Sequence, residues 1–375
     1  MLNLLQALAG DSPQSSPRLI KRASVLSGMS GSDHGDGHGN HDKRPEPTCE
    51  GNLRILQKLD CGNENVLCVK YSYDGTVVAA GLVHGAIKIF QAHDGSALYH
   101  LTDQEVRDAH LPCTSLTFIP TDHGQKFEHL LMATYANGVL KFWHPSTGSC
   151  LHTIHENRQT LAASFSPHGD VFVTGGAPAQ LHMYDAATKK MVRTFEPSPD
   201  KTVMDGHMLR VFSVLYHPNA VAYPGVFLSG GWDDTIQFWD SRVKHSVRKI
   251  FGPHICGEGL DIDPEHNHVL TGSWRKDSAL QVWDFTSTEK IKDIPPDFNS
   301  CLVYCCQWLG RSCITAGGSD HNMARIVDRG TLQTTGRLVD LPGGVYCSDN
   351  SRHGNVPKVA IGAANMVYIV EKTGG

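Results

Sequence analysis

Long apolar segments are missing from this sequence. None of its 375 residues belong to an apolar run of roughly 18 or more, the length that a membrane-spanning helix needs. A basic excess is also missing, because 33 Lys and Arg residues stand against 38 Asp and Glu residues, giving a formal net charge of -5. Domains that bind nucleic acid usually carry a basic patch. The composition therefore predicts neither a membrane protein nor a nucleic-acid-binding protein.

Short motifs of catalytic sites are absent as well. The sequence has no glycine-rich phosphate loop between a strand and a helix, no His-Glu-x-x-His pair and no Gly-x-Ser-x-Gly elbow. It also has no Asn-x-Ser/Thr glycosylation site, which favours a location inside the cell. We therefore predict a non-catalytic protein that uses no cofactor and no catalytic metal.

Cysteine is present, but in a pattern that does not indicate disulfides. The eleven cysteines are odd in number and scattered, and most lie within apolar, strand-like segments. We interpret them as reduced, small core residues of a cytoplasmic or nuclear protein. Cys301, Cys305 and Cys306 cluster in sequence, but strand alternation directs Cys305 and Cys306 to opposite faces. This arrangement suits packing better than a closed zinc site.

Residues 1–50 differ in composition from the rest. They are rich in Ser, Pro, Gly and His and contain a histidine tract at 31–42, so we predict a disordered tail. The tract could bind zinc or copper, although plain disorder is the simpler interpretation. No secretory signal is indicated. A mitochondrial presequence stays an open alternative because of the basic residues Arg18, Lys21 and Arg22. Ser24 follows a basic pair and is a candidate phosphorylation site.

From residue 51 onward the sequence repeats. An aromatic or apolar residue ends a strand-like segment at intervals of 46 to 51 residues, and the clearest repeat, at 206–240, ends in Trp239-Asp240. A strand-rich repeat of this length is typical of a propeller blade. The aligned residues are Tyr71, Phe118, Phe165, Tyr216, Ile262 and Trp308.

On these motifs the chain resembles the WD40 family, and the resemblance implies an all-β, seven-bladed β-propeller at 51–372. The expected blades are 66–101, 112–154, 160–195, 206–251, 254–294, 301–341 and 344–370. The seventh blade has three strands before the chain ends, whereas the strand-like segment 53–59 has no blade of its own. We therefore predict that 53–59 completes the last blade and closes the ring.

The resemblance also implies a hydrogen-bond network that holds a blade together. In blade four the matching residues are His207, Ser229, Asp233 and Trp239. A search for catalytic triads would find the first three, but a buried structural network explains them better. Blade five keeps Asp277 and Trp283, and blade two keeps Asn137 and Trp143. The other blades lack the set and are expected to depend on apolar packing.

Partner peptides of WD40 proteins often dock on the wide face of the ring. The resemblance places candidate contacts beside the turn Asp and at the start of the innermost strands. Aromatic and Arg residues are frequent binding hot spots. The predicted contact residues are Arg210, Phe212, Trp232, Glu258, Lys276 and Tyr304, with Leu67, Thr114 and Leu161 at the corresponding places of the first three blades.

Two functions compete on these grounds. The first is a scaffold or adaptor, a monomeric propeller within a complex, that binds proteins or peptides on the wide face. The second is a substrate receptor of a cullin-type ubiquitin ligase, because Trp239-Asp240-Ser241-Arg242 resembles the short Trp-Asp-x-Arg motif with which some WD40 receptors contact the ligase adaptor. In that case Arg242 would make the contact.

Overall fold

The computed structural model describes residues 46–120, 130–200, 202–319 and 321–374. The histidine tract, Ser24 and nearly all of the predicted tail lie outside these residues. The described residues form 29 strands, one six-residue helix and one 3₁₀ turn. The strands form seven antiparallel sheets, one per blade, which confirms the predicted all-β, seven-bladed propeller. The helix is too short to cross a membrane.

The seven blades have the following strands. Blade one contains β3 (Val66–Tyr71), β4 (Val77–Leu82), β5 (Ile87–Gln91) and β6 (Ala97–Leu101); blade two contains β7 (Cys113–Phe118), β8 (Leu131–Tyr135), β9 (Val139–His144) and β10 (Ser149–His155); blade three contains β11 (Gln159–Phe165), β12 (Val171–Ala177), β13 (Leu181–Asp185) and β14 (Met191–Phe195); blade four contains β15 (Val211–Tyr216), β16 (Val226–Gly231), β17 (Thr235–Asp240) and β18 (Arg248–Phe251).

The remaining blades follow the same plan, with the two N-terminal strands added to the last two sheets. Blade five contains β19 (Leu260–Asp263), β20 (His268–Gly272), β21 (Leu280–Asp284) and β22 (Lys290–Ile294); blade six contains β23 (Leu302–Leu309), β24 (Cys313–Ser319), β25 (Met323–Asp328), β26 (Thr334–Val339) and β1 (Thr48–Gly51); blade seven contains β27 (Val345–Asn350), β28 (Val359–Ala363), β29 (Met366–Lys372) and β2 (Leu53–Asp60). Helix α1 (Gln104–Ala109) and the 3₁₀ turn (Pro145–Thr147) lie in connections.

Burial decreases from the centre of each blade to its outer edge. The second strand β4 is buried at all six positions, whereas four of the five residues of the outer strand β6 are exposed. Inner strands are covered by a neighbouring blade on each side, which explains their nearly continuous apolar sequences. All eleven cysteines are free thiols, and eight of them are buried.

Glycine in the second strand lets neighbouring blades approach closely. At Gly317 an added Cβ would lie 2.3 Å from a side-chain carbon of Val345 in blade seven, and at Gly272 it would lie 2.7 Å from Val303 in blade six. Such contacts are shorter than packed carbons tolerate, so a larger residue would push the blades apart. Six blades have glycine at this position: Gly81, Gly175, Gly230, Gly272, Gly317 and Gly362.

The N-terminal segment joins the last two blades from outside. Strand β2 pairs with β29 from Leu53 opposite Lys372 to Asp60 opposite Met366, and it supplies the fourth strand of blade seven. Strand β1 pairs with β26 and adds a fifth strand to blade six. Gly51, with φ of 65°, makes the turn between them. Strand β1 begins inside the stretch assigned to the tail, since its mostly exposed, polar residues give no alternating apolar pattern.

Removal of these two strands tests whether they close the ring. A chain that begins at Glu46 keeps β1 and β2 and should melt like the full-length protein. A chain that begins at Val66 loses the buried Leu53 and Leu59 and leaves an open sheet edge. We expect it to aggregate, or to melt on the order of 10 °C lower, at about 2–4 °C per kcal/mol. Melting curves and size-exclusion chromatography test this, and a monomeric Val66 chain with unchanged melting would contradict it.

The hydrogen-bond network predicted for blade four is observed. His207 Nδ1 lies 2.9 Å from Asp233 Oδ2, and His207 Nε2 lies 2.7 Å from Ser229 Oγ. Trp239 Nε1 donates to the same Ser229 Oγ over 2.7 Å. In blade five only Trp283 keeps its bond, to Thr271 Oγ1 over 3.0 Å. Asp277 is exposed, and no described residue forms a hydrogen bond with it, so its expected part in a network is wrong.

Blade three has a network of its own, whereas the sequence predicts that it depends mostly on apolar packing. Glu156 occupies the loop position that His207 has in blade four. Its Oε1 accepts hydrogen bonds from the Tyr184 hydroxyl and from Thr174 Oγ1, each over 2.7 Å. Arg158 Nε donates to Oε2 over 3.0 Å, and His182 Nδ1 lies 3.0 Å from Oε1. A carboxylate thus replaces the imidazole at the same position.

Buried Glu156 should make the stability of the ring depend on pH. Burial raises its pKa, but hydrogen bonds from His182 and the charge of Arg158 outweigh this effect and lower the pKa well below its ordinary 4.5. A carboxyl group whose pKa is lowered by folding stabilises the fold fully above its unfolded pKa and loses this contribution as the pH falls.

Glu156→Ala should therefore lower the free energy of unfolding at pH 7 by about 3–5 kcal/mol, because it leaves Arg158 buried without its partner. The difference from wild type should shrink as the pH falls below 4.5. Urea titrations at pH 7 and pH 4 measure both effects. Glu265→Ala, at an exposed acid of a connecting loop, is the control, and equal unfolding free energies for Glu156→Ala and wild type at pH 7 would refute the role of Glu156.

Candidate functional site

One face of the ring, called the upper face below, is where the first strand of each blade begins. The strand registers identify two equivalent positions on it in every blade. The first lies at or just after the end of the second strand and is occupied by Val83, Ala136, Ala177, Trp232, Trp274, Ser319 and Ala364. The second lies near the start of the first strand and is occupied by Leu67, Thr114, Leu161, Phe212, Glu258, Tyr304 and Tyr346.

The two halves of the upper face differ in these positions. Blades one to three carry only aliphatic or small residues, whereas blades four to seven carry every aromatic residue of the set. We call these residues the aromatic arc: Phe212, Trp232, Trp274, Tyr304 and Tyr346.

Trp232 is the best-supported side chain of the arc. Its ring stacks on Phe212 with a centroid distance of 5.2 Å and an interplanar angle of 28°. The Arg210 guanidinium lies 5.2 Å from the ring centroid, within cation–π range. The indole Nε1 donates to Cys256 Sγ over 2.9 Å, and the ring of His254 lies 6.3 Å away, almost parallel. Trp232 is half-buried and held in one orientation.

The local sequence explains why Trp232 is held at the surface. Its backbone N–H donates to Arg210 O over 3.0 Å. The following Asp233 accepts hydrogen bonds from the backbone N–H groups of Met208 and Thr235. Asp234, with φ of 57°, then turns the chain into β17. The same carboxylate that binds His207 therefore fixes the turn that displays Trp232.

The arc continues through blades five to seven. His254 lies between Trp232 and Trp274, with centroid distances of 6.3 Å to each. Tyr304 and Tyr346 meet edge to face at 5.0 Å. The buried Trp274 Nε1 has no hydrogen-bond acceptor among the described residues. The arc thus combines rigid rings with an indole N–H that has no well-formed hydrogen bond among the described residues.

Glu258 lies in the central channel, away from the stack around Trp232. Its Oε2 lies 3.5 Å from Lys70 Nζ of blade one, which also lies 3.5 Å from the carboxylate of Asp349 in blade seven. Arg352 binds the same Asp349 over 2.8 Å. Burial raises the pKa of Glu258, and Lys70 opposes that rise. These ion pairs connect blades across the channel, so Glu258 has a partner within the ring.

The predicted contact residues other than Glu258 do not all lie together. Arg210, Phe212 and Trp232 touch one another, and Tyr304 lies in the arc but is buried. Lys276 is exposed and lines a groove between blades five and six. The predicted contact residues therefore form one contiguous trio and three separate positions.

Arg242 lies at the other end of β17, on the opposite face of the ring. Its Nε and Nη2 donate to the two carboxylate oxygens of Asp240 over 2.8 and 2.6 Å. The side chain is 72% exposed despite this pair. Arg242 is therefore separated from the aromatic arc by the length of β17.

Three residues of the site were not predicted. Trp274 could have been found by aligning Thr271-Gly272-Ser273-Trp274 with Ser229-Gly230-Gly231-Trp232. Tyr346 and His254 gave weaker signals, since blade seven has no Trp-Asp pair and His254 lies in an irregular connection.

A family model for the WD domain, G-beta repeat, matches residues 198–240. This stretch contains His207, Ser229, Asp233 and Trp239, whose hydrogen bonds are described above. Together with the seven-bladed ring, this match decides the family. The chain is a WD40-repeat protein.

Several curated proteins resemble this WD40 propeller at low identity. Pre-mRNA-processing factor 19 homolog 2 of Arabidopsis thaliana is 22% identical over 302 residues, which cover 77% of this chain and 49% of that protein. U3 small nucleolar RNA-associated protein 12 of Saccharomyces cerevisiae is 26% identical over 158 residues, covering 40% and 15%. Protein NEDD1 of Homo sapiens is 24% identical over 166 residues, covering 40% and 22%. This chain spans about half or less of the length of these relatives.

Proposed function

We propose that this WD40 propeller is a non-catalytic scaffold that binds a partner protein on its upper face, with the aromatic arc as the anchor. The asymmetry of the face carries the proposal, because large rings occur only in blades four to seven. Aromatic and Arg residues dominate binding hot spots, and rigid side chains lose little entropy when they bind. The stacked trio of Arg210, Phe212 and Trp232 has both properties.

The net charge of the chain and the names of its relatives support one kind of partner. The net charge of -5 favours a protein over a nucleic acid as the direct ligand. The names of two relatives place them with a small nucleolar RNA and with pre-mRNA processing. We propose that this protein works within a nuclear or cytoplasmic assembly by holding one of its protein components. Function in a propeller depends on such surface sites and not on the fold.

Two tryptophans of blade four provide a matched test. Trp232→Ala should weaken binding of a specific partner by on the order of 2 kcal/mol or more, about 30-fold, with little change in melting temperature. Trp239→Ala should instead unfold blade four, because it removes a fully buried ring and leaves Ser229 without its donor. Affinity purification with mass spectrometry measures the first effect, and thermal melting measures the second.

The control for the partner experiment is Met191→Ala, at an exposed apolar residue of blade three that lies outside the arc. Its set of partners should equal that of wild type. If Trp232→Ala destabilises the ring and no partner is selectively lost, Trp232 is a packing residue and the proposed anchor is wrong.

The ubiquitin-ligase alternative is tested separately through Arg242. Arg242→Ala removes an exposed ion pair with Asp240 and should leave the stability of the ring essentially unchanged. A ligase receptor would lose its adaptor and retain its substrate. Co-purification of a cullin adaptor with wild type but not with Arg242→Ala would favour the receptor, whereas its absence from both would favour the scaffold.

A further inference from the structure

A small groove opens between blades five and six. Its floor consists of apolar side chains from β21, β23 and β24, including Leu280, Val303 and Ala316. Its rim is polar. No residue of the aromatic arc lines it, so the groove is a separate feature of the ring. The polar and charged lining residues are Lys276, Ser278, Asp297, Asn299, Cys301 and Arg325.

Arg325 is an unusual residue for such a groove. It belongs to β25 and is only 7% exposed. Its Nη1 donates to Pro295 O over 2.9 Å and lies 3.4 Å from Thr334 Oγ1. No described residue accepts a hydrogen bond from its Nε or Nη2, and no described carboxylate forms an ion pair with it. Buried guanidinium groups normally have a carboxylate partner, because burying a lone charge is costly.

Acidic residues near the groove are engaged elsewhere. Both carboxylate oxygens of Asp297 bind Arg337, one of them over 2.6 Å. Asp293 accepts hydrogen bonds from Lys290 over 2.8 Å and from Gln281 over 2.7 Å. Among the described acids, Asp297 offsets part of the charge of Arg325 through space, but none forms a direct ion pair with it. Lys276 adds a second cation at the exposed rim of the groove.

We propose that this groove is a binding site for an oxyanion, the carboxylate or phosphate of an acidic side chain on a partner peptide. Arg325 would bind the oxyanion through the donors left free at Nε and Nη2, which can form the paired hydrogen bonds typical of guanidinium–oxyanion recognition. Lys276 would attract the ligand from the rim, and the apolar floor would accept the methylene groups of the side chain.

The shape of the groove, as well as its charge, favours a peptide side chain as the ligand. The groove is narrow and has an apolar floor, which suits a single extended side chain. Phe298, which is 89% exposed in the adjoining loop, offers an apolar contact for a neighbouring residue of the same peptide. The assignment to a peptide depends on the proposed scaffold function, whereas oxyanion binding itself does not.

Three capped tripeptides serve as probes for the full-length chain: acetyl-Gly-Glu-Gly-amide, the same peptide with phosphoserine at the centre, and a neutral one with glutamine. Arginine Nε–Hε resonances in ¹H–¹⁵N spectra report binding, and the Arg325 signal is identified by its loss in Arg325→Gln. We expect at least one charged peptide to shift this signal at millimolar concentration, with the neutral peptide having no effect. The charged peptide that binds more tightly identifies the oxyanion.

Three variants decide whether the named cations are responsible. Arg325→Gln should weaken binding of the charged peptide at least tenfold, and Lys276→Gln should weaken it severalfold. Lys292→Gln, in β22 outside the groove, should leave it unchanged. If Arg325→Gln does not fold, the exposed Lys276→Gln and the loss of affinity at high salt decide the question.

Some results would overturn the proposal. These are equal binding of the neutral and charged peptides, no shift with either charged peptide, or full affinity in both groove variants. A protein that binds the charged peptides but whose partners do not depend on Trp232 would support the groove and refute the anchor. The two proposals therefore fail separately.

Discussion

Close contact between the second strand of one blade and the first strand of the next is the constraint on which the ring depends. A Cβ atom added at Gly317 or Gly272 would lie less than 3 Å from the next blade. Seven sheets can pack around one axis at this distance only if the residue at this position of the second strand has almost no side chain. Blade two is the exception, because Thr134 occupies the position. There Thr114 bonds to Thr134 over 2.8 Å and to Thr160 O of blade three over 2.8 Å.

Within this common packing, blades three and four connect their buried polar groups in different ways. Blade four uses His207 between Asp233 and Ser229, whereas blade three uses the carboxylate of Glu156 and surrounds it with four kinds of donor. Both solutions connect the loop before the first strand to the second and third strands. An unsatisfied buried group costs about 1–3 kcal/mol, so either network holds the loops at the end of its blade. These two blades therefore make the same connection with different residue types.

The sequence predicted the blade count because burial on both sides of each strand imposes a periodic apolar pattern, from Tyr71 to Trp308. It missed β1, since an edge strand with one side in solvent needs no such pattern. It also missed the network of Glu156, because no motif indicates that a carboxylate can replace a histidine. At the candidate site, Arg210, Phe212 and Trp232 followed from family positions. Arg325 gave no signal, because its burial and its lack of a carboxylate partner depend on three-dimensional packing.

The upper face shows how a symmetric fold can display an asymmetric surface. Packing fixes the glycine position and the alternating core of every blade, but it leaves the residues at the ends of the strands unconstrained. In blades one to three those positions hold small or aliphatic side chains that add little to recognition. In blades four to seven they hold the aromatic arc, and the adjoining groove contains a buried cation. Both features include a group that is costly to the free ring, since no described carboxylate pairs with the buried Arg325 and no described residue accepts a well-formed hydrogen bond from the Trp274 indole. Groups that are costly to the free ring become favourable when a partner supplies the missing acceptors, and this difference is the physical basis for proposing that they bind a partner.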